Sequence, residues 1–336
     1  MKALSVIIPC YNSSEYMTKS IDSCIRDDNV EIIIVNDGSS DATAQIADDY
    51  QRRHPDIVKA IHQKNKGHGG AINAGLQAAS GKYIKILDSD DWFDAESYDK
   101  LLSALAGFLD GDCPDMVICN YVYEKVGKKR KMTVRYSHSF PTERIFTWED
   151  VKPFRIGHYM LMHSIIYRRE LLRECNLVLP EHTFYVDNLF AYVPLAKVEK
   201  MYYVDVDLYR YFIGRDDQSV QESIMIKRIN QQLRVNRMMI DAYSFSSLQP
   251  IQKRRYMMHY LAIVTTVTTV LLLKGGTRGH LRKKQVLWRE MAKKDIRMYR
   301  WLKRGVLGRG VNLRGPLGRK FVIMVYTVSQ KIVGFN

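Results

Sequence analysis

The stretch KYIKILDSDDWFD, residues 82–94, runs from a short apolar segment straight into four carboxylates: Asp88, Asp90, Asp91 and Asp94. Its apolar half reads as a buried strand, and three similar units lie upstream. ALSVIIP (3–9) is an apolar run stopped by Pro9, followed by SEYMTKSIDSCI, which carries Tyr16, Met17, Ser20, Ile21, Cys24 and Ile25 at helical spacing. EIIIV (31–35) ends in NDGSSDAT, a turn that also supplies caps for a helix through Tyr50, with Asp41 the better candidate cap. DIVKAIH (56–62) leads into NKGHGGAINAGLQAASG, a glycine-rich loop that opens another helix. Such alternation of strand and helix predicts an α/β fold, a mainly parallel sheet with helices on both faces. In that architecture ligands sit at the carboxyl ends of strands, where NDGSSD, NKGHGG and DSDD all fall.

Carboxylates clustered at a strand end repel one another unless a cation or a proton relieves them. A hard divalent cation, Mg2+ or Mn2+, fits oxygen ligands and is commonly shared between one or two carboxylates and substrate phosphates. Strand alternation puts Asp88 and Asp90 on one side, able to address a metal diphosphate together. The competing reading is structural: an acidic turn in which Asp91 or Asp94 caps the helix AESYDKLLSALAGFL.

With 336 residues and 46% hydrophobic content, the chain can bury a substantial core. Its formal charge of +15 is localised. From Thr277 onward there are 16 Lys or Arg against only Glu290 and Asp295, whereas the preceding 276 residues carry 35 basic and 34 acidic groups. Five widely spaced cysteines (Cys10, Cys24, Cys113, Cys119, Cys175) without a C-x-x-C pair point to neither a disulfide framework nor a zinc site, and to a reducing cytosol. The N-terminal apolar run reads as a strand and not as a signal peptide.

Four segments in order, SVIIPCYN, IIIVNDGSSDAT, NKGHGGAINAGLQAASGKYIKILDSDD and FYVDNLF, resemble the nucleotide-sugar-dependent glycosyltransferases of family 2. The resemblance covers Leu4 to about Ser219. It implies the GT-A fold, a Rossmann-like mixed sheet that is mainly parallel, and inverting transfer from a nucleotide-sugar, a UDP-sugar first. By that resemblance Pro9 and Tyr11 wall the nucleobase pocket and Asp37 accepts a hydrogen bond from the base. Asn65, Lys66, Gly67 and His68 meet the diphosphate, with glycines allowing close backbone approach. Asp88 contacts the ribose or the metal, and Asp90 coordinates Mn2+ or Mg2+. Asp91 supports the turn. Where the family often has Arg before the Asn matching Asn73, this chain has Ile72. The catalytic base is implied at Asp187, preceded by Val186 where Glu is usual, and a helix N-cap is its other reading. Arg215, Gln218 and Ser219 are candidates for phosphate or acceptor contacts. His163 is a candidate for facing the acceptor cleft, its alternative being a core histidine with satisfied hydrogen bonds. RMYRW (297–301) matches a motif of processive members but lies far out of position, in the basic tail, and reads as chance.

These readings divide the chain into a catalytic domain, 1–220, and a helical C-terminal region, 221–336. Tyr256–Leu273 is 18 residues long, at the lower edge for crossing a bilayer. His259 and four threonines favour a buried or interfacial helix instead. TRGHLRKKQVLWREMAKKDIRMYRWLKRG interleaves basic and apolar residues at helical intervals, a basic amphipathic pattern suited to an anionic membrane surface. The expectation is therefore a cytoplasmic enzyme held peripherally on the inner face of the cell membrane. Its acceptor would be a lipid-linked or cell-surface glycan, in polysaccharide, teichoic acid or glycolipid synthesis. Two other function classes stand against it. A nucleic-acid-binding phosphoryl-transfer protein is disfavoured by the near-neutral first 276 residues, and an inactive sugar-nucleotide-binding scaffold by the intact Asp37, Asp88, Asp90 and Asp187.

Overall fold

A computed structural model describes residues 2–26, 29–125, 127, 131–214 and 221–333. The chain divides into two compact units, Met1–Lys152 with Met160–Ile213, and Pro153–Tyr159 with Gly214–Asn336.

The first unit begins with the expected alternation: β1 (Leu4–Cys10), α1 (Met17–Cys24), β2 (Val30–Asn36), α2 (Thr43–Arg53), β3 (Val58–His62), α3 (Gly67–Ala78) and β4 (Tyr83–Ile86). There follow β5 (Trp92–Phe93), α4 (Ala95–Ala106), β6 (Met116–Ile118), β7 (Tyr121–Lys125), β8 (Met132–Val134), β9 (Ile145–Phe146), β10 (Ile165–Arg168), α5 (Arg169–Glu174), α6 (Asp187–Tyr192), β11 (Met201–Tyr203) and β12 (Tyr209–Ile213). One sheet has eight strands in the order β3-β2-β1-β4-β10-β6-β11-β9, and a second has four, β5-β12-β7-β8. β3, β2, β1 and β4 run parallel, and β10 enters antiparallel between β4 and β6. All seven residues of β1 are buried, as are all but Glu31 in β2. That explains their unbroken apolar runs, because a parallel strand covered on both faces has no solvent side to mark with polar residues.

Asp94 and Asp41 behave as structural residues. The Asp94 carboxylate accepts from the Ser97 amide at the start of α4, and Asp41 accepts from the amides of Thr43 and Ser14. All five cysteines are free thiols.

The second unit is helical: α7 (Glu222–Lys227), α8 (Ile229–Ala242), α9 (Ile251–Gly275), α10 (Arg278–Lys294), α11 (Ile296–Arg304), α12 (Val306–Val311) and α13 (Gly315–Val333). α9 is long and apolar enough to cross a membrane, yet it forms the centre of this unit, packed by the other six helices. Its threonines hold the neighbours in register. Thr265 accepts from Asn236, Thr268 from Gln232 and Thr269 from the Trp288 indole, each at 3.1–3.2 Å. Residues 153–159 join this unit because Phe154 and Tyr159 stack on Tyr256 and Tyr260 of α9, each at 4.7 Å between ring centroids.

One expectation is corrected here. The amphipathic stretch 277–305 forms α10 and α11, whose apolar residues Leu287, Trp288, Met291, Met298 and Leu302 are buried within the unit. Most of that stripe is therefore covered, with Ile296 and Trp301 left exposed. The exposed apolar face belongs to α13, through Leu317, Phe321, Met324 and Val328.

Candidate functional site

β4 delivers Asp88 to its carboxyl end, and the turn after it is braced from three sides. Ser20 donates to the Asp88 carbonyl, Ser89 shares a hydrogen bond with Ser13 at 2.8 Å, and the Asp91 amide donates back to the Asp88 carbonyl. Asp91 is buried. Its carboxylate accepts the Tyr209 hydroxyl at 2.6 Å and the Phe212 amide at 2.7 Å, which ties the acidic turn to β12. Burial and the charges of Asp90 and Asp88 push the Asp91 carboxyl well above the ordinary range. The supporting role expected for Asp91 matches these contacts.

Asp88 lies between two imidazoles. His68 Nε2 is 3.7 Å from Asp88 Oδ1, and His163 Nε2 is 3.6 Å from Asp88 Oδ2. Burial works against ionisation of Asp88, but these imidazoles and the Tyr209 hydroxyl outweigh it and hold the carboxyl below its usual value. His163 corrects the core-histidine reading. Its Nε2 faces Asp88, while Nδ1 is buried without a hydrogen-bond partner among the described residues. Tyr209 and Tyr211, two residues apart on one face of β12, stack on its ring at 4.6 and 4.2 Å between centroids.

Lys85, one turn of the pleat below, holds the His163 segment in place. It is wholly buried and donates to the carbonyls of Met162, His163 and Ile165 at 3.1, 2.5 and 3.2 Å. Burial pushes its ammonium down to about 7, yet three carbonyls match the three protons of the charged form.

Asp187 is the first helical residue of α6, with Val186 at the N-cap position, and its carboxylate accepts from the Asn188 side-chain amide at 3.3 Å. Burial raises its carboxyl, opposed by the nearby His163 and His68 and reinforced by Asp88. The four groups thus share one electrostatic neighbourhood. The approach to α6 is built from unusual backbone, with His182 at φ +48° and Tyr185 at φ +67°. Strain of this kind persists only where the surroundings enforce it. Asn73 enforces it here, by exchanging two hydrogen bonds with the Leu179 backbone, and the Lys66 carbonyl does so by accepting the His182 amide.

The glycines of NKGHGG acquire a further reason from this packing. A Cβ at Gly67 (φ +75°) would lie 3.0 Å from the His182 backbone, and one at Gly69 would lie 2.6 Å from the Pro180 carbonyl oxygen. These glycines let the segment leading into α6 lie directly on α3. Lys66 pairs with Glu181 at 3.2 Å, and Asn65 donates to the Asp37 carbonyl. Asp37 is buried, and one of its carboxylate oxygens accepts from Gln63 and from the Lys66 amide. Pro9 is buried in β1, and Tyr11 is 56% exposed. Arg215, Gln218 and Ser219 lie outside the described residues.

The donor atoms of Asp88, Asp91 and His163 lie within 4.8 Å of one another. Asp91 is committed to Tyr209 and Phe212, which leaves Asp88 and His163 as one oxygen and one nitrogen ligand of the kinds a divalent cation takes; Asp90, half-buried on the same turn, is not in this group, because the strand ends at Ile86 and the alternation does not extend through the turn. Lys85, Tyr209 and Tyr211 escaped the sequence reading. A lysine inside the apolar run KYIKIL was the available signal for the first.

Residues 5–171 match the family described as Glycosyl transferase family 2. The chain is 30% identical over 226 residues to the Uncharacterized glycosyltransferase EpsJ of Bacillus subtilis, covering 62% of this chain and 60% of that one. It is 31% identical over 207 residues to the Minor teichoic acid biosynthesis protein GgaA of the same organism, covering 59% and 44%. The chain thus spans about 60% or less of the length of these curated relatives. Among solved structures, S. aureus TarS 1-349 in complex with UDP-GlcNAc superposes with a TM-score of 0.67 at 19% identity, over 98% of this chain and 92% of that one. The likeness establishes the fold, including helices beyond the sheet.

Proposed function

We propose, from the premise that residues 5–171 belong to glycosyl transferase family 2, that this protein moves a sugar from a nucleotide-sugar, a UDP-sugar first, to an acceptor hydroxyl with inversion. The observation that carries the reading is the meeting of Asp88 with His68 and His163 at the carboxyl end of β4, with Asp187 electrostatically coupled to all three. Tyr11 and Pro9 wall the base, and Asp37 takes its N–H with the oxygen not held by Gln63 and Lys66. His68 and the amides opening α3 face the diphosphate, since a helix N-terminus presents donors to an anion. Lys66 exchanges Glu181 for a phosphate oxygen. Asp88 and Asp90, with His163, would hold Mn2+ or Mg2+, which when bound supplies Lewis-acid stabilisation of the departing nucleoside diphosphate.

Asp187 removes the proton from the acceptor hydroxyl as that oxygen attacks the anomeric carbon from the face opposite the diphosphate. Its raised carboxyl makes it a better base at the point of transfer than an ordinary aspartate. The acceptor is a membrane-associated glycan or lipid-linked precursor of a cell-surface polymer, and the protein works on the inner membrane face, with the basic C-terminal unit against anionic lipid. The teichoic acid role in the name of GgaA and the UDP-GlcNAc in the TarS complex support this class of pathway and donor.

The test is turnover of a panel of UDP-, GDP-, CMP- and dTDP-sugars with Mn2+, with and without candidate acceptors. One donor class should be consumed, slowly by water and faster with acceptor. If no donor is consumed, the inactive-scaffold reading replaces this one.

A further inference from the structure

A cluster of cations without a carboxylate partner among the described residues lies far along the chain from the acidic turn, in the helical unit. α10 and the segment entering α13 border a cleft of about 460 Å3 whose polar lining includes Lys284, Arg289, Arg314 and Arg319. Trp288 and Leu313 supply apolar wall. The volume is in the range of small-molecule sites.

Neither acidic residue of the tail neutralises this cleft. Glu290 pairs with Arg237 at 2.7 Å, and the Asp295 carboxylate accepts from the amides of Phe245, Arg297 and Met298. Among the described residues no carboxylate pairs with any of the four cations, and Lys284 has only the Val311 carbonyl, at 2.6 Å. Burial chiefly, and the nearby Arg319 guanidinium in addition, push Lys284 down to about 8. An anion seated among them relieves that repulsion.

What kind of anion follows from the neighbouring surface. Leu313, in the cleft wall, continues into the outward face of α13, where Leu317 is 82% exposed, Phe321 53%, Met324 55% and Val328 50%. Val322, on the other side of the helix, is buried. An apolar helical face that starts at a cationic cleft matches an amphiphile with a phosphate at one end and hydrocarbon behind it. A free phosphate leaves that face unexplained, and so does a nucleic-acid backbone.

We propose that the cleft seats the phosphate of an anionic membrane phospholipid while the α13 face lies among the acyl chains. This rests on the membrane-surface reading above and names the site that performs it.

The test uses the full chain and co-sedimentation with vesicles of phosphatidylcholine alone, phosphatidylcholine with phosphatidylglycerol, and phosphatidylcholine with a charge-matched sulfolipid. Arg314→Gln/Arg319→Gln removes two cleft cations. Arg297→Gln/Arg300→Gln removes two exposed cations of α11 as the charge control, and thermal melts confirm that both variants fold. The wild type should prefer phosphatidylglycerol vesicles to the sulfolipid ones. The cleft pair should lose at least about tenfold more binding than the control pair, because a diffuse surface effect counts each charge alike. Leu317→Ser/Phe321→Ser should lower binding to every vesicle type.

Equal losses for the cleft and control pairs overturn the site while leaving membrane docking standing. Absence of wild-type binding to any vesicle overturns the docking reading itself. Displacement from vesicles by inorganic phosphate, with Leu317→Ser/Phe321→Ser binding undiminished, assigns the cleft to a soluble anion and overturns the lipid. Binding of duplex DNA in preference to all vesicles, lost in the cleft pair, overturns it in favour of nucleic acid.

Discussion

The two units each concentrate like charge, and they treat it in opposite ways. In the first, Asp88, Asp90 and Asp91 crowd one turn. His68, His163, the Tyr209 hydroxyl and the Phe212 amide are all aimed at Asp88 or Asp91. In the second, Lys284, Arg289, Arg314 and Arg319 line one cleft, and among the described residues a single carbonyl, that of Val311, meets Lys284 and no carboxylate meets any of them. A charge cluster met by donors from several elements is a preorganised site for a bound reactant. One left uncompensated is a surface waiting for an external counterion. On the proposed function the difference separates chemistry from attachment within a single chain.

That contrast can be broken by substitution, beginning where the expected effect is largest. Asp187→Asn should reduce transfer by about 10³-fold, within the span for loss of a general base, with donor affinity nearly unchanged. Steady-state rates alongside donor titration check this. If Asp187 is the base, it should also set the acid limb of the rate profile. Because the base works ionised and burial raises its carboxyl, kcat/KM should fall at a pH above the ordinary aspartate value of about 3.9. A profile flat down to that value would separate Asp187 from the rate.

Lys85→Met comes next. It orphans three buried carbonyls and frees the His163 segment, and should cost about 3 kcal/mol in denaturant unfolding, given about 1–3 kcal/mol for each unsatisfied buried group and partial relaxation. Asp91→Leu removes the acceptor for Tyr209 and Phe212 and should cost about 2 kcal/mol by the same argument. Arg319→Gln gives the smallest effect and the opposite sign. Taking one charge from the unrelieved cleft should leave stability unchanged or raise it by up to about 0.5 kcal/mol. Destabilisation there comparable to Asp91→Leu would erase the contrast.

The acidic cluster was legible in the sequence because it is local. Asp88, Asp90 and Asp91 are near neighbours at the end of an apolar strand, and the alternation upstream placed them on the sheet. Asp187 was legible only through resemblance, and the structure adds the reason that its segment can reach α3, namely the bare glycines and Asn73. The partners of Asp88 were hidden because they come from separate elements: His68 on α3, His163 before β10, Tyr209 on β12. Residue spacing carries no information about such meetings. The basic tail was legible as charge and as helical amphipathic pattern, but most of the apolar side of α10 and α11 faces a core around α9 that only the packing reveals. The cleft joins residues from 273 to 319 across three helices and the turn before α13, which no local pattern announces.

The most direct test of the central claim is calorimetric titration of nucleotide-sugars, UDP-sugars first, into the wild type and Asp88→Asn, with and without Mn2+. The account expects tight Mn2+-dependent binding of one nucleotide class to the wild type, lost or greatly weakened in Asp88→Asn. Binding that is indifferent to both Mn2+ and Asp88 would contradict it and return the acidic turn to a purely structural role.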